Sequence, residues 1–174
     1  MLHDELVQLA RSREITYKDA ILILLVRDGL KPMSTVGIAS SQALIGVLSN
    51  NDVSFVVKNN RIFIGNFSKT CNTCKFFSKS HCNADASYKG PNCSINIHDG
   101  IRFGFPDCCS TLFFNPISLF FAKNSKPSFS ELTPYVFHVP CSENCTKTRK
   151  LAEKYMQHVK VNYPAMARYV ECIA

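Results

Sequence analysis

The first seventy residues contain no cysteine, although the chain of 174 residues holds nine. Any chemistry carried by thiols therefore belongs to the part of the chain beyond Thr70. Long hydrophobic runs are also missing. The longest purely aliphatic stretch, Ala20 to Val26, has seven residues, against the roughly 20 that a membrane-spanning helix needs. No membrane association is expected. The amino terminus, Met1-Leu-His-Asp-Glu-Leu6, carries acids where a secretory signal carries basic residues, and no apolar segment follows at the right place. An intracellular, cytoplasmic protein is expected. The chain has no phosphate-binding glycine loop, no G-x-S-x-G, no H-E-x-x-H and no dinucleotide fingerprint, so nucleotide-dependent chemistry has no visible footing. No internal repeat occurs.

What is present suits one compact domain, or one domain with a small appended module: 46% of residues are hydrophobic and 19% charged, enough to bury a core. The formal net charge of +7 raises nucleic acid or another acidic partner as a possibility, and a protein partner is compatible with it. That charge, however, counts every thiol as neutral. A divalent metal on four thiolates carries a net charge of about −2, so two such sites would bring +7 down to +3. The surplus is also spread along the chain. Its densest run, Lys147, Arg149, Lys150 and Lys154, is interleaved with Glu143 and Glu153 and reads as a solvated helix face.

The amino-terminal part is patterned for regular structure. Residues 2–12 and 17–28 carry helical spacing, Leu2, Leu6 and Leu9 in the first and Ile21, Leu24 and Leu25 in the second. Thr16 is placed to cap the second helix, and Gly29 and Pro32 to end it. Residues 35–38 read as a short strand, and Ser40 or Ser41 as the cap of a helix reaching Leu48. Asn50 to Asp52 form a turn, and residues 53–57 and 61–64 flank Lys58-Asn-Asn60 as a hairpin. The order of helix, helix, strand, helix and hairpin fits a winged-helix-like module, and equally a small α/β layer packed on the cysteine-rich part of the chain. The third helix holds no Lys or Arg, which favours the second reading. The expected division is thus 1–66, an α/β or winged-helix-like module, and 67–174, a cysteine-rich metal-binding region ending in a helix. The fold class is α+β.

Residues 67–99 are polar and lack periodicity. Beyond Gly100 an aromatic stretch (Phe103, Phe105, Phe113, Phe114, Phe120, Phe121) reads as core, residues 125–134 as a loop, 135–139 as a strand, and Cys141 to about Val161 as a helix.

The cysteines fall into two groups, with Cys172 apart. The first is Cys71-Asn-Thr-Cys74, then Cys82 and Cys93. A C-x2-C knuckle converges two sulfurs on one ion, and two later thiols complete a tetrahedral site for zinc or iron–sulfur, with His81 and His98 as possible substitutes. The second group is Cys108-Cys109 and Cys141-Ser-Glu-Asn-Cys145. Asp107 is placed to cap a helix beginning at Cys108, and Ser142 one beginning at Glu143. Both pairs would then sit at helix amino termini, where unpaired amides and the helix dipole favour thiolate over thiol. Facing each other, they would seat a metal, a cluster or a redox disulfide.

Phe105-Pro-Asp-Cys-Cys109 followed by Phe113-Phe114, and His138-Val-Pro-Cys-Ser-Glu-Asn-Cys145 with Thr148 and Leu151-Ala152 downstream, resemble the paired GYPxCC and HxPCSxxC motifs of an uncharacterised, mainly archaeal prokaryotic family. The stretch from Lys31-Pro32 to Val47-Leu48 is similar to the segment preceding those motifs, so the resemblance covers roughly two thirds of the chain. It implies that Cys108, Cys109, Cys141 and Cys145 belong together, with His138 and Pro140 nearby. It implies no activity. Cys71, Cys74, Cys82 and Cys93 lie outside the pattern and rest on their spacing.

Three functions are compatible with these residues. The foremost is a metal-binding protein whose cysteines hold iron–sulfur or zinc, structural and with a redox or regulatory role open. The alternatives are a zinc-stabilised nucleic-acid-binding module using the helix around 147–160, and a thiol enzyme with Cys141 or Cys145 as nucleophile and His138 as base.

Overall fold

In a computed structural model of the chain, the residues described are 1–37, 42–58, 61–65, 103–110 and 128–173. Helix α1 spans Leu2–Arg11 and α2 spans Tyr17–Arg27. The start of α2 is a capping box: Thr16 Oγ1 accepts from the Asp19 amide at 3.1 Å, and the Asp19 carboxylate accepts the Thr16 amide at 3.1 Å, so two donors that lack helical partners are satisfied locally. The end is a Schellman turn. Gly29 takes φ +72°, its amide reaches Val26 O, and the Leu30 amide reaches Leu25 O. Glycine suits this left-handed position because a Cβ would crowd the following carbonyl. The same turn sends Lys31 back toward the body of the protein, with its own amide on Leu25 O.

Strand β1 (Met33–Gly37), helix α3 (Gln42–Asn50) and strands β2 (Phe55–Lys58) and β3 (Arg61–Gly65) follow in the expected order. The sheet is antiparallel with the order β1-β3-β2. Lys58 pairs with Arg61 to close the hairpin, and Met33 with Gly65 at the far end. Period-2 alternation puts Ile62 and Ile64 of the central strand fully inward against α2 while Arg61 is exposed. Helix α3 buries Leu44 and Leu48 and packs on α1; Ser40 and Ser41, the expected caps, lie outside the described residues.

Beyond the sheet, residues 103–110 include the one-turn helix α4 (Asp107–Ser110). Its cap is the Pro106 carbonyl, which accepts the Cys109 and Ser110 amides, so Asp107 is the first helical residue rather than the cap. A 3-10 helix covers Ser130–Tyr135, followed by helix α5 (Thr146–Asn162) and helix α6 (Pro164–Ile173). Two expectations are corrected here. Residues 135–139 are not a strand: Pro134 sits inside the 3-10 helix, and no strand among the described residues pairs with the segment after it. Burial there does not alternate, because Tyr135 is buried and Val136, Phe137 and His138 are each half-buried. The long helix does not begin near Cys141 either. Residues 141–144 form a turn closed by the Cys145 amide on Ser142 O, and Cys145 is the N-cap residue of α5.

One hydrophobic core draws on both sides of position 66. Helix α2 is its axis, with every residue from Ala20 to Leu25 buried, as expected of a helix apolar all round. Leu6 of α1, Val36 of β1, Leu132 of the 3-10 helix, Val159 of α5 and Met166 of α6 join it. The fold is α+β. Polar contacts tie the same halves: Asp28 accepts from Tyr163 and pairs with His158 at 2.7 Å, and Tyr169 donates to Ala10 O at 3.1 Å. No helix among the described residues is long and apolar enough to cross a membrane.

Candidate metal centre

Four sulfurs separated by up to 37 residues converge. Cys108 and Cys109 come from the first turn of α4, Cys145 from the N-cap of α5, and Cys141 from the turn before it. The Cys108–Cys109 and Cys108–Cys145 separations are 3.8 Å and the Cys109–Cys145 separation is 3.7 Å; all four sulfurs lie within 4.8 Å of one another. Cys109 and Cys145 are buried, Cys108 and Cys141 half-buried. Such a soft, all-thiol donor set can hold a metal ion.

Gly104 shapes the approach. At φ +69°, it lets residues 103–110 lie against Pro32, where a Cβ would stand 2.9 Å from Pro32 Cδ.

The thiols are not equally disposed to ionise. Burial pushes Cys145 up, but the Thr148 hydroxyl, the Thr148 backbone amide and the neighbouring Cys141 and Cys109 thiols outweigh it, and its pKa falls to about 6. Burial dominates at the other two. Cys109 is driven far above the ordinary thiol range despite the Thr148 hydroxyl and the Cys141 amide, and Cys141 is pushed up to about 11. The expectation of two anionic pairs at two helix termini is thus corrected: Cys141 lies outside α5, and Cys145 alone among these three is held toward the thiolate. Further thiolates at such spacing need a cation between them.

His138 does not face the sulfurs directly. Its ring stacks on Phe105 at a centroid distance of 5.0 Å, and its Nε2 meets Thr148 Oγ1 at 2.9 Å. Thr148, 1% exposed, places that oxygen 3.2 Å from Cys145 Sγ and 3.3 Å from Cys109 Sγ. A hydroxyl has one hydrogen. If it is given to sulfur, the imidazole donates from Nε2. Burial, with the Lys31 charge adding to it, lowers the His138 pKa to about 4 and agrees with a neutral ring.

Cys71, Cys74, Cys82 and Cys93, with His81 and His98, lie outside the described residues, as do Phe113, Phe114, Phe120 and Phe121. Cys172 is exposed near the end of α6 and is not one of the grouped sulfurs. Sequence patterns gave Lys31 no part in this site, yet the fold buries it to 2% exposure. Its local signal, a lysine between a helix-ending glycine and a proline, is that of an ordinary surface turn.

The fold and this group of thiols define an α+β protein with a candidate four-cysteine metal site. No family model, curated protein or solved structure matches the chain.

Proposed function

We propose that the protein is a metal-binding protein in which Cys108, Cys109, Cys141 and Cys145 hold one zinc ion at a structural tetrathiolate site. The observation that carries this reading is the sulfur spacing. A tetrahedron with metal–sulfur bonds of about 2.3 Å has sulfur–sulfur edges of about 3.8 Å, and three of its edges here measure 3.7–3.8 Å. An iron–sulfur cluster binds its cysteines through separate irons joined by sulfide, which spreads the outer sulfurs further apart; a group confined within 4.8 Å suits a single ion better. Four protein ligands leave no open position, the mark of a structural rather than a catalytic zinc. When bound, the ion supplies the positive charge that lets all four thiols ionise. The chain's own part is to cross-link residues 103–110 to the start of α5, and to exclude water with Phe105, His138 and Pro140.

By its spacing alone, the group Cys71, Cys74, Cys82 and Cys93 is proposed as a second site. The resemblance to the GYPxCC and HxPCSxxC family is retained on the same footing, as is a reducing, cytoplasmic location where such thiols stay available. The nucleic-acid reading gains little, because Arg149 on α5 is paired with Glu153 at 3.1 Å and Lys147 lies 3.9 Å from Asp107. The thiol-enzyme reading is disfavoured by Thr148, which stands between His138 and the sulfurs.

Elemental analysis and an absorption spectrum of the full chain purified without air test the proposal. Colourless protein with one zinc per chain supports the site described, and two zinc ions extend it to the first cysteine group. Absorbance at about 400 nm with stoichiometric iron replaces zinc by iron–sulfur, and protein free of either metal overturns the reading.

A further inference from the structure

The metal reading leaves one buried charged side chain unexplained. Lys31 is 2% exposed. Its ammonium donates to the Phe103 carbonyl and lies 4.8 Å from the Phe105 ring centroid and 5.9 Å from that of Phe103. No carboxylate among the described residues pairs with it. A carbonyl and two ring faces compensate only part of the cost of removing an ammonium from water. Buried cations are normally paired, so the missing negative charge has to be sought nearby.

The surroundings of Phe105 show where it lies. One ring carries the Lys31 ammonium at 4.8 Å and the His138 imidazole at 5.0 Å. The imidazole is bonded to Thr148, and Thr148 touches both Cys109 and Cys145. Lys31 is therefore linked to the sulfurs through successive contacts of Phe105, His138 and Thr148. Its charge is felt at His138, where it acts in the same direction as burial. With His138 neutral, Lys31 is the buried cation along that path among the described residues. The empty group offers it only the charge of Cys145, drawn toward the thiolate, whereas four thiolates around a divalent ion offer a net −2.

We propose that Lys31 is the internal counter-charge of the tetrathiolate centre, a positioning residue that binds no metal and stabilises the doubly negative loaded site over the less negative empty one. The proposal rests on the metal reading above. The coupling is reciprocal: to the extent that the Lys31 charge favours the metal, bound metal holds Lys31 protonated. It also gives the amino-terminal part a share in the site, since the Schellman turn closing α2 aims this side chain at the carboxyl-terminal cysteines.

Two measurements on the full chain test it. In competition with a chromophoric chelator, Lys31→Met is expected to bind zinc on the order of 10- to 100-fold more weakly than wild type. The loss should persist at high salt, because a buried pair is poorly screened. Carbon NMR of the lysine side chains in zinc-loaded wild type requires no substitution. There Lys31 is expected to remain an ammonium to about pH 9, although burial alone brings its pKa down to about 7. Wild-type affinity in Lys31→Met, or deprotonation of Lys31 near pH 7 in the loaded protein, overturns this inference alone. A wild-type chain that binds no zinc overturns the metal reading and this inference with it.

Discussion

Replacing Thr148 with Val keeps nearly the same volume but removes one oxygen that has three neighbours, Cys145 Sγ at 3.2 Å, Cys109 Sγ at 3.3 Å and His138 Nε2 at 2.9 Å. The consequences fall on two observables. A hydrogen bond to a charged group contributes about 1.5–3 kcal/mol and one to a neutral group about 0.5–1.5 kcal/mol. Cys145 is drawn toward the thiolate even without metal, so the difference arises at Cys109, where the hydroxyl stabilises the thiolate of the loaded protein more than the thiol of the empty one, by about 1–2 kcal/mol. That difference is a loss of about fivefold to thirtyfold in zinc affinity. The imidazole loses its acceptor in both states, and a buried donor left without a partner costs about 1–3 kcal/mol. That second cost appears in unfolding of the loaded protein rather than in metal affinity. Chelator competition reads the first effect and thermal unfolding at saturating zinc reads the second, with Thr148→Ser, which keeps the oxygen, as the control for shape. If Thr148→Val binds zinc within twofold of wild type and unfolds at the same temperature, the hydroxyl does not bridge the imidazole to the sulfurs, and the reading of Nε2 as the donor fails with it.

Two further perturbations address the scaffold. Gly104→Ala combines a left-handed backbone position with a Cβ 2.9 Å from Pro32 Cδ; a cost of about 1–2 kcal/mol from the backbone alone, plus displacement of the segment carrying Cys108 and Cys109, should lower both unfolding stability and zinc affinity. At Asp28, burial raises the carboxyl pKa, but hydrogen bonds from Tyr163, His158 and Arg27 outweigh it and hold the group below its usual value. Because the folded pKa is the lower one, its contribution is present above the ordinary value of 3.8 and is lost as pH falls through the folded value. Asp28→Asn should therefore cost about 1–3 kcal/mol near neutral pH, with the gap to wild type closing in acid, as denaturant titrations at several pH values will show.

How much was legible in the chain depends on the range of the interactions involved. The Thr16–Asp19 capping box, the end of α2 at Gly29 and the hairpin closed between Lys58 and Arg61 depend on residues a few positions apart, and their donors, acceptors and backbone preferences are written locally. The suitability of Cys108, Cys109, Cys141 and Cys145 as metal ligands was equally visible, because thiols are uncommon and their spacing is plain. Residues 135–139 misled because β-branched and aromatic residues favour a strand only where a neighbouring strand completes it. Here that part of the chain packs its side chains on Phe105 and Tyr155 instead. The start of α5 misled in a related way. Ser142 has the chemistry of a cap, yet the chain turns until Cys145 reaches the other sulfurs.

The amino-acid sequence by itself determined the α+β character, the placement of the amino-terminal elements and the choice of sulfur as the reactive material, all of which come from periodicity, capping and composition. Only the tertiary structure decided that four of those sulfurs meet, that Cys145 is drawn toward the thiolate, that His138 meets Thr148, and that Lys31 is buried against Phe103 and Phe105. These are consequences of distance and dielectric between groups up to 72 residues apart along the chain. Ionisation and hydrogen bonding change steeply over a few ångströms, and such separations exist only once the common core around α2 has brought both halves of the chain together.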